Sequence, residues 1–381
     1  MNTGEMSKMF KCPIPKCKAT FSRRDGLKRH LVGPEGLSES DAIKLMPPKK
    51  VPERKTKKET KEQTIKNCQQ VADMVLEELP TRERLKVAIK KRGTLKPETW
   101  LLEFSDLHYG QIVKPIEVGG LAEYNTAVAK ERLEYLVKVL VRILEYYPNP
   151  PKELVIAFLG DMIDNSVMRG NQQASIEFGA ITQTMLVSEL ITDFIVSLSK
   201  YFPKIRCYGV YGNHGRLMRS PTDAHPSESF DKMAYYIVKN RIKGMKNITL
   251  EYTEAQHMIF RANGWKFWME HGDTVRGWMG IPFYGGQREK ARISDILGKF
   301  KEQADYVLLG HHHEEATLTG QGIFFNGSFV GGDLYSIGRL RRMSIPTQSL
   351  IGINDAHGVV WTRSIQLIDK PREMKIKIYG N

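Results

Sequence analysis

The sequence predicts an α/β layered domain that begins near Thr99 and follows a small basic appendage. From Thr99 onward, short apolar runs alternate with segments of helical period, and five of those runs are each followed at once by a cluster of Asp, Asn, Gly and His. Charge marks the other boundary. Of the formal net charge of +14, residues 1–100 hold 24 Lys and Arg against 13 Asp and Glu, leaving 33 against 30 for the rest. The chain has 381 residues, 41% hydrophobic and 26% charged, a balance that supports a folded core and argues against a disordered or fibrous protein.

The longest unbroken apolar runs, such as Leu154 to Leu159, are far shorter than the roughly 20 residues needed to span a bilayer. Met1 to Cys12 has no apolar stretch of signal-peptide type. The expectation is a protein neither inserted in a membrane nor secreted. Four cysteines, Cys12, Cys17, Cys68 and Cys207, are too few and too unevenly spaced for a disulfide framework. They point to a reducing compartment, the cytoplasm, with the nucleus also open.

Taken in order, the first element lies at Phe10, Cys12, Cys17, Phe21, Leu27 and His30. This spacing resembles a two-Cys two-His zinc finger, in which thiolates and imidazole hold a tetrahedral zinc that a very small core needs for stability. After His30 the chain reads Leu31-Val32-Gly33-Pro34-Glu35 and offers no second histidine at the expected interval. Glu35, Glu39, Asp41 or a water could complete the shell, or the site could have ceased to bind zinc. The finger helix would carry Arg23, Arg24, Lys28 and Arg29, a basic surface suited to a nucleic-acid backbone, with a protein contact or a simple fold staple as the alternative. Met46 to Lys66 combines proline with dense charge and is expected to be a linker or a segment that orders on binding. The domain reading is therefore a finger-like module at 1–35, a basic linker or helical segment at 36–98, and an α/β body at 99–381.

Within the body, Leu133, Leu136, Val137, Leu140, Ile143 and Leu144 recur at helical spacing, and a second helix is expected from about Ile181 to Leu198. Strands are expected at Trp100–Phe104, Leu154–Leu159, Ile205–Val210, Lys266–Met269 and Tyr306–Leu309. The clusters that follow them contain Asp106 and His108, Asp161 and Asp164, Asn213 and His214, His271 and Asp273, and His311, His312 and His313. Ligands in α/β sheets bind at the carboxyl ends of strands, so five strands delivering these groups form one constellation. Carboxylate, imidazole and amide donors suit a pair of borderline divalent cations, for which Asp161 is the candidate shared carboxylate.

In this order the motifs resemble the calcineurin-like metallophosphoesterase superfamily over Thr99 to about Ser336, and the motif order is similar to that of SbcD-type nucleases. The resemblance implies a two-sheet sandwich flanked by helices. It further implies one metal held by Asp106, His108 and His313, a second by Asn213, His271 and His311, and Asp161 shared between them. Manganese is the first expectation for the pair, with iron, zinc or nickel also suited to the ligands. By the same likeness His214 is the general acid for the leaving group and Asp164 the carboxylate that orients it. Asn326-Gly327-Ser328 looks like the turn that closes the second sheet.

Where many relatives carry a carboxylate after Gly-Asn-His, this chain has Gly215 and then Arg216. Arg216 could contact a substrate phosphate or serve as an ordinary surface arginine. His312 would face away from its neighbours in an extended segment and receives no metal role, and His225, His257 and His357 lie outside every motif. Met162 and Ile163 read as core. Together these features predict a two-metal phosphodiesterase, a nuclease acting on DNA. The alternatives are a phosphomonoesterase or protein phosphatase, and a catalytically silent nucleic-acid-binding scaffold.

Overall fold

The fold is described from a computed structural model, over residues 9–47, 57–78, 96–168, 170, 172–220, 228–277 and 282–368. The chain separates into two compact units, Met1–Val87 and Ala88–Asn381. His225 and residues 48–56 of the expected linker lie outside the described residues.

In the first unit, β1 (Phe10–Lys11) and β2 (Thr20–Phe21) form a small antiparallel hairpin, followed by α1 (Arg24–Val32) and α2 (Glu39–Leu45). Cys12, Leu27, Leu31, Ala42 and Met46 are its buried core. The packed module thus runs on to Met46, past residue 35, because α2 turns Ala42 onto the finger helix. Ser38 caps α2 by accepting from the Asp41 N–H at 3.3 Å. Next comes α3 (Lys57–Glu78), so residues 57–66 of the expected linker are helical. Lys, Glu and Gln are good helix formers, and Gln63 donates to Asn67 one turn on at 3.0 Å.

The second unit is a two-sheet sandwich. Its elements are β3 (Thr99–Phe104), α4 (Thr126–Tyr146), β4 (Glu153–Phe158), α5 (Ala180–Leu198), β5 (Ile205–Gly209), α6 (Phe230–Arg241), β6 (Ile248–Tyr252), β7 (His257–Ala262) and β8 (Trp265–Glu270). They continue with α7 (Phe283–Gly298), β9 (Tyr306–Leu309), β10 (Ala316–Leu318), β11 (Ile323–Phe325), α8 (Leu334–Gly338), β12 (Thr347–Asn354) and β13 (Gly358–Gln366). One sheet has the order β13-β12-β3-β4-β5-β6 and the other β10-β11-β9-β8-β7. All five strands expected from sequence are present, as are both helices.

Alternation along β3 shows why two sheets form. Trp100, Leu102 and Phe104 pack with Leu133, Leu136 and Leu140 of α4 and Val187, Ile191 and Phe194 of α5. Leu101, on the opposite face, packs with Val155, Phe267, Met269 and Leu308 between the sheets. The outer face of the second sheet is covered by Ile293 and Leu297 of α7. With apolar groups needed on both faces, the strands read as nearly continuous hydrophobic runs. Although α5 is long and apolar enough to cross a membrane, its buried face belongs to this core.

β3, β4 and β5 run parallel in one sheet and β8 and β9 run parallel in the other. Their carboxyl ends deliver the five polar clusters to one edge of the sandwich.

Candidate metal centre

The strand ends are sharply bent. Asp106, His108, Asp161, His311 and His313 all have positive φ, between 43° and 67°, a left-handed conformation that costs a non-glycine residue on the order of 1–3 kcal/mol. The segment 311–313 is therefore not extended, which corrects the geometry assumed for His312. Its neighbours still aim elsewhere than it does: His312 packs on Phe325 with ring centroids 5.8 Å apart, and burial pushes its imidazole down to about 4. His257 stacks on Trp268 at 3.9 Å, and His357 is exposed. Met162 and Ile163 are buried in the core, as expected.

Hydrogen bonds lock the bent loops together. Asp106 N–H donates to the Gly160 carbonyl at 3.1 Å and His108 N–H to the Asp161 carbonyl at 3.0 Å. Gly160 has φ of 94°, and a Cβ there would lie 2.3 Å from the Gly212 nitrogen, so the loops after β4 and β5 approach as closely as backbones can.

The side chains then converge in two groups. His313 Nε2 lies 3.3 Å from Asp106 Oδ1 and 3.1 Å from His108 Nε2. Across from it, His271 Nε2 lies 3.1 Å from Asp161 Oδ2, 3.0 Å from Asn213 Oδ1 and 3.2 Å from His311 Nδ1. Asp161 Oδ2 is also 3.8 Å from His108 Nε2, so one carboxylate oxygen faces both groups, while Oδ1 accepts the His214 N–H at 2.7 Å. All seven residues that the motif resemblance assigns to the metals are thus gathered at one place. Asp106, His108, Asp161 and His271 are almost wholly buried.

This donor set fits divalent cations. His108 Nδ1 contacts Asp164 Oδ1 at 3.2 Å, and His271 Nδ1 donates to the Leu159 carbonyl at 2.7 Å, so both rings can turn Nε2 lone pairs into the cage. Asp106 Oδ1 is buried with no hydrogen-bond partner, an acceptor that asks for positive charge. Burial opposes ionisation of Asp106 and Asp161, yet His313 beside the first and His271 beside the second hold both carboxyls well below the usual range. Burial would likewise depress His108 and His271, but Asp106 and Asp164 raise the former, and Asp161 the latter, to about 10. Burial together with His271 pushes His311 well down. A field that draws protons onto imidazoles also draws cations, which displace those protons on binding.

Asp164 sits between two rings. Its carbonyl accepts from His214 Nδ1 at 2.8 Å, its Oδ1 lies 3.3 Å from the same nitrogen, and Gln172 Nε2 donates to Oδ2 at 2.9 Å. Burial would raise Asp164, but hydrogen bonds from His108 and His214 hold it well below its ordinary value. Asn165 fastens the neighbouring loop by donating to the carbonyls of His214 and Arg216, each at 2.6 Å. Arg216 itself pairs with Asp273 beside His271, at the rim of a small cleft that also includes Tyr211 and Glu270. Burial lifts the Glu270 carboxyl there to about 7.

The residue that sequence reasoning missed is Asp231. From the first turn of α6, its buried carboxylate accepts the backbone N–H groups of Asp161, Met162 and Gly212, each at 2.9 Å. A Cβ at Gly215 would lie 2.8 Å from Asp231 Oδ2 and 2.5 Å from Ser229 Oγ. The glycine after His214 and the carboxylate on α6 are therefore complementary: a side chain at 215 would occupy the space that Asp231 fills. The only sequence signal was negative, a missing carboxylate after Gly-Asn-His.

In the first unit the ligand atoms of Cys12, Cys17, His30 and Glu35 lie within 4.8 Å of one another. Arg23 and Arg29 are exposed, whereas Arg24 donates to the Pro47 carbonyl at 3.2 Å and Lys28 pairs with Glu39 at 3.4 Å.

Carboxylate, amide and imidazole donors converging on one edge of an α/β sandwich define a site built for divalent cations. The model of the calcineurin-like phosphoesterase family matches residues 99–315, more than half the chain, and the chain belongs to that family. Membership implies metal-dependent phosphoester hydrolysis. The chain is also 22% identical over 276 residues to the SPbeta prophage-derived uncharacterized protein YonJ of Bacillus subtilis, a match covering 67% of this chain and 64% of that one. Similar solved structures include a dimetal phosphatase from Danio rerio, 10% identical with a TM-score of 0.34, covering 72% of this chain and 100% of that one. A single mutant of Vps29 from Entamoeba histolytica is 13% identical with a TM-score of 0.29, covering 70% of this chain and 98% of that one.

Proposed function

We propose that the chain is a two-metal phosphodiesterase that cleaves nucleic acid, DNA foremost. Asp106, His108 and His313 would hold one cation and Asn213, His271 and His311 the other, with Asp161 shared between them, and manganese is the first candidate for both. Bound cations would supply positive charge against the phosphate and lower the pKa of water toward neutrality. The chain's own groups supply the rest. His214 Nδ1 is engaged by Asp164 at 2.8 Å, leaving Nε2 as the atom that hands a proton to the leaving oxygen. General acid catalysis of this kind is typically worth about 100- to 10,000-fold. Asp164 orients that ring, and Asp231 holds the loop that carries Asp161.

The observation that carries the nucleic-acid reading is the excess of 24 Lys and Arg over 13 Asp and Glu in residues 1–100, ahead of a nearly neutral body. Such a segment beside a hydrolase for phosphoesters favours a polyanionic substrate. The test is product analysis of end-labelled double- and single-stranded DNA with manganese-loaded protein, alongside a simple phosphomonoester. The expected outcome is DNA cleavage that disappears in Asp161→Ala. Monoester turnover with intact DNA would replace this reading with that of a phosphatase.

A further inference from the structure

We propose that Glu35 is the fourth ligand of a structural zinc ion in the first unit, completing a shell of two thiolates, one imidazole and one carboxylate. The site is independent of the phosphodiesterase reading, since none of its residues belongs to the cage.

Three observations carry it. The first is convergence on a single nitrogen: His30 Nε2 lies 3.2 Å from Cys17 Sγ and 3.2 Å from Glu35 Oε1. One imidazole nitrogen carries one proton or one lone pair, so it cannot form full hydrogen bonds to both neighbours. A tetrahedral cation among the four groups satisfies every one of them, and thiolate, imidazole and carboxylate are all zinc ligands.

The second is how the backbone places Glu35. α1 stops at Val32, and the chain doubles back over its own last turn: Glu35 N–H donates to the His30 carbonyl at 3.2 Å and Leu37 N–H to the Leu31 carbonyl at 3.1 Å. Gly36, with φ of 66°, permits the reversal. The cap of the helix that presents His30 therefore also presents Glu35. On the other side, Cys12 N–H donates to the Ala19 carbonyl at 2.9 Å, and Lys16 takes a left-handed φ of 75° in the turn just before Cys17. Hairpin and helix end contribute two ligands each.

The third is the size of the core. Among the described residues only Cys12, Leu27, Leu31, Ala42 and Met46 form the buried core of the module, with partly buried groups such as Phe10 and Phe21 packed around them, too little apolar surface to fix a hairpin against a helix without a staple. The Glu35 side chain is only 25% exposed, and its ion-pair neighbour is His30.

The test uses the full chain loaded with cobalt(II) in place of zinc. Thiolate-to-cobalt charge-transfer absorption reports only a site containing cysteine and is silent to the cage. Wild type should show one equivalent of thiolate-bound cobalt, displaced by zinc, and Cys12→Ser should lose it. Glu35→Ala should shift the visible ligand-field bands and weaken zinc at least about 10-fold, the loss that removal of a mere outer-shell partner already produces. Glu35→His should restore tight binding. Unchanged bands and affinity in Glu35→Ala would overturn Glu35 as a ligand, and no charge transfer in wild type would overturn the zinc site itself.

Discussion

The two clusters of metal-ligating residues are built on opposite plans. In the first unit the four groups fall between Cys12 and Glu35, on one hairpin and one helix end, above a core of five buried residues. In the second unit the groups run from Asp106 to His313 and stand on the ends of five strands, above cores that line both faces of two sheets. Where ligands are near neighbours in the chain, a metal can create the local structure. Where they are hundreds of residues apart, the structure must exist first, and it can then hold its residues in costly conformations such as the left-handed backbone at Asp161 and His311.

The contrast can be broken most severely by removing metal. Chelation of the full chain should abolish amide protection around Leu27 and Leu31, while β3 and β4 keep theirs, and hydrogen exchange read by mass spectrometry would show it. Equal loss in both units would mean that the sandwich also depends on its cations. A smaller effect is expected from Asp231→Ala, which leaves the buried N–H groups of Asp161, Met162 and Gly212 without their acceptor. We expect a loss on the order of 3 kcal/mol in denaturant stability, together with reduced turnover at unchanged KM. A variant with normal turnover would show that the cage keeps its shape without this support.

The smallest effect concerns Glu103, a carboxyl buried on β3 with neither oxygen hydrogen bonded. Burial, with Glu315 adding to it, raises its affinity for a proton well above the ordinary value. The folded state therefore binds a proton that the unfolded chain releases near pH 4.5. Stability is complete below that point and falls as pH rises through the elevated folded value. Glu103→Gln should flatten this fall and stabilise the protein at neutral pH by about 1 kcal/mol, as measured by unfolding midpoints between pH 5 and 8. An unchanged pH slope would mean that Glu103 stays ionised, and that the sandwich tolerates a buried charge.

The strands and the cage were legible because their chemistry is adjacent in the chain: an apolar run long enough for one strand, then at once Asp106, Asp161, Asn213, His271 or His311. What escaped depends on approach between distant segments. Asp231 acts on Asp161 from 70 positions away, through a carboxylate that in sequence looks like any acidic residue in the first turn of a helix. The pairing of Arg216 with Asp273 spans 57 positions and had no local sign. The finger-like module extended further than its motif because Ala42 and Met46, inconspicuous in a charged stretch, are the residues that close its core.

The placement of β12 bears on the order of events during synthesis. That strand lies between β13 and β3, pairing antiparallel with both, and it comes from residues 347–354. The ribosome therefore releases the residues of the finger-like module once Met46 has emerged, but β3 must wait with one edge unpaired until β12, which ends at Asn354, has been made. At ordinary elongation speeds that wait is roughly ten to fifty seconds. For that interval a strand carrying Trp100, Leu101, Leu102 and Phe104 offers an open edge to any passing chain, so the nascent sandwich is most exposed to aggregation just before the β12–β13 hairpin arrives.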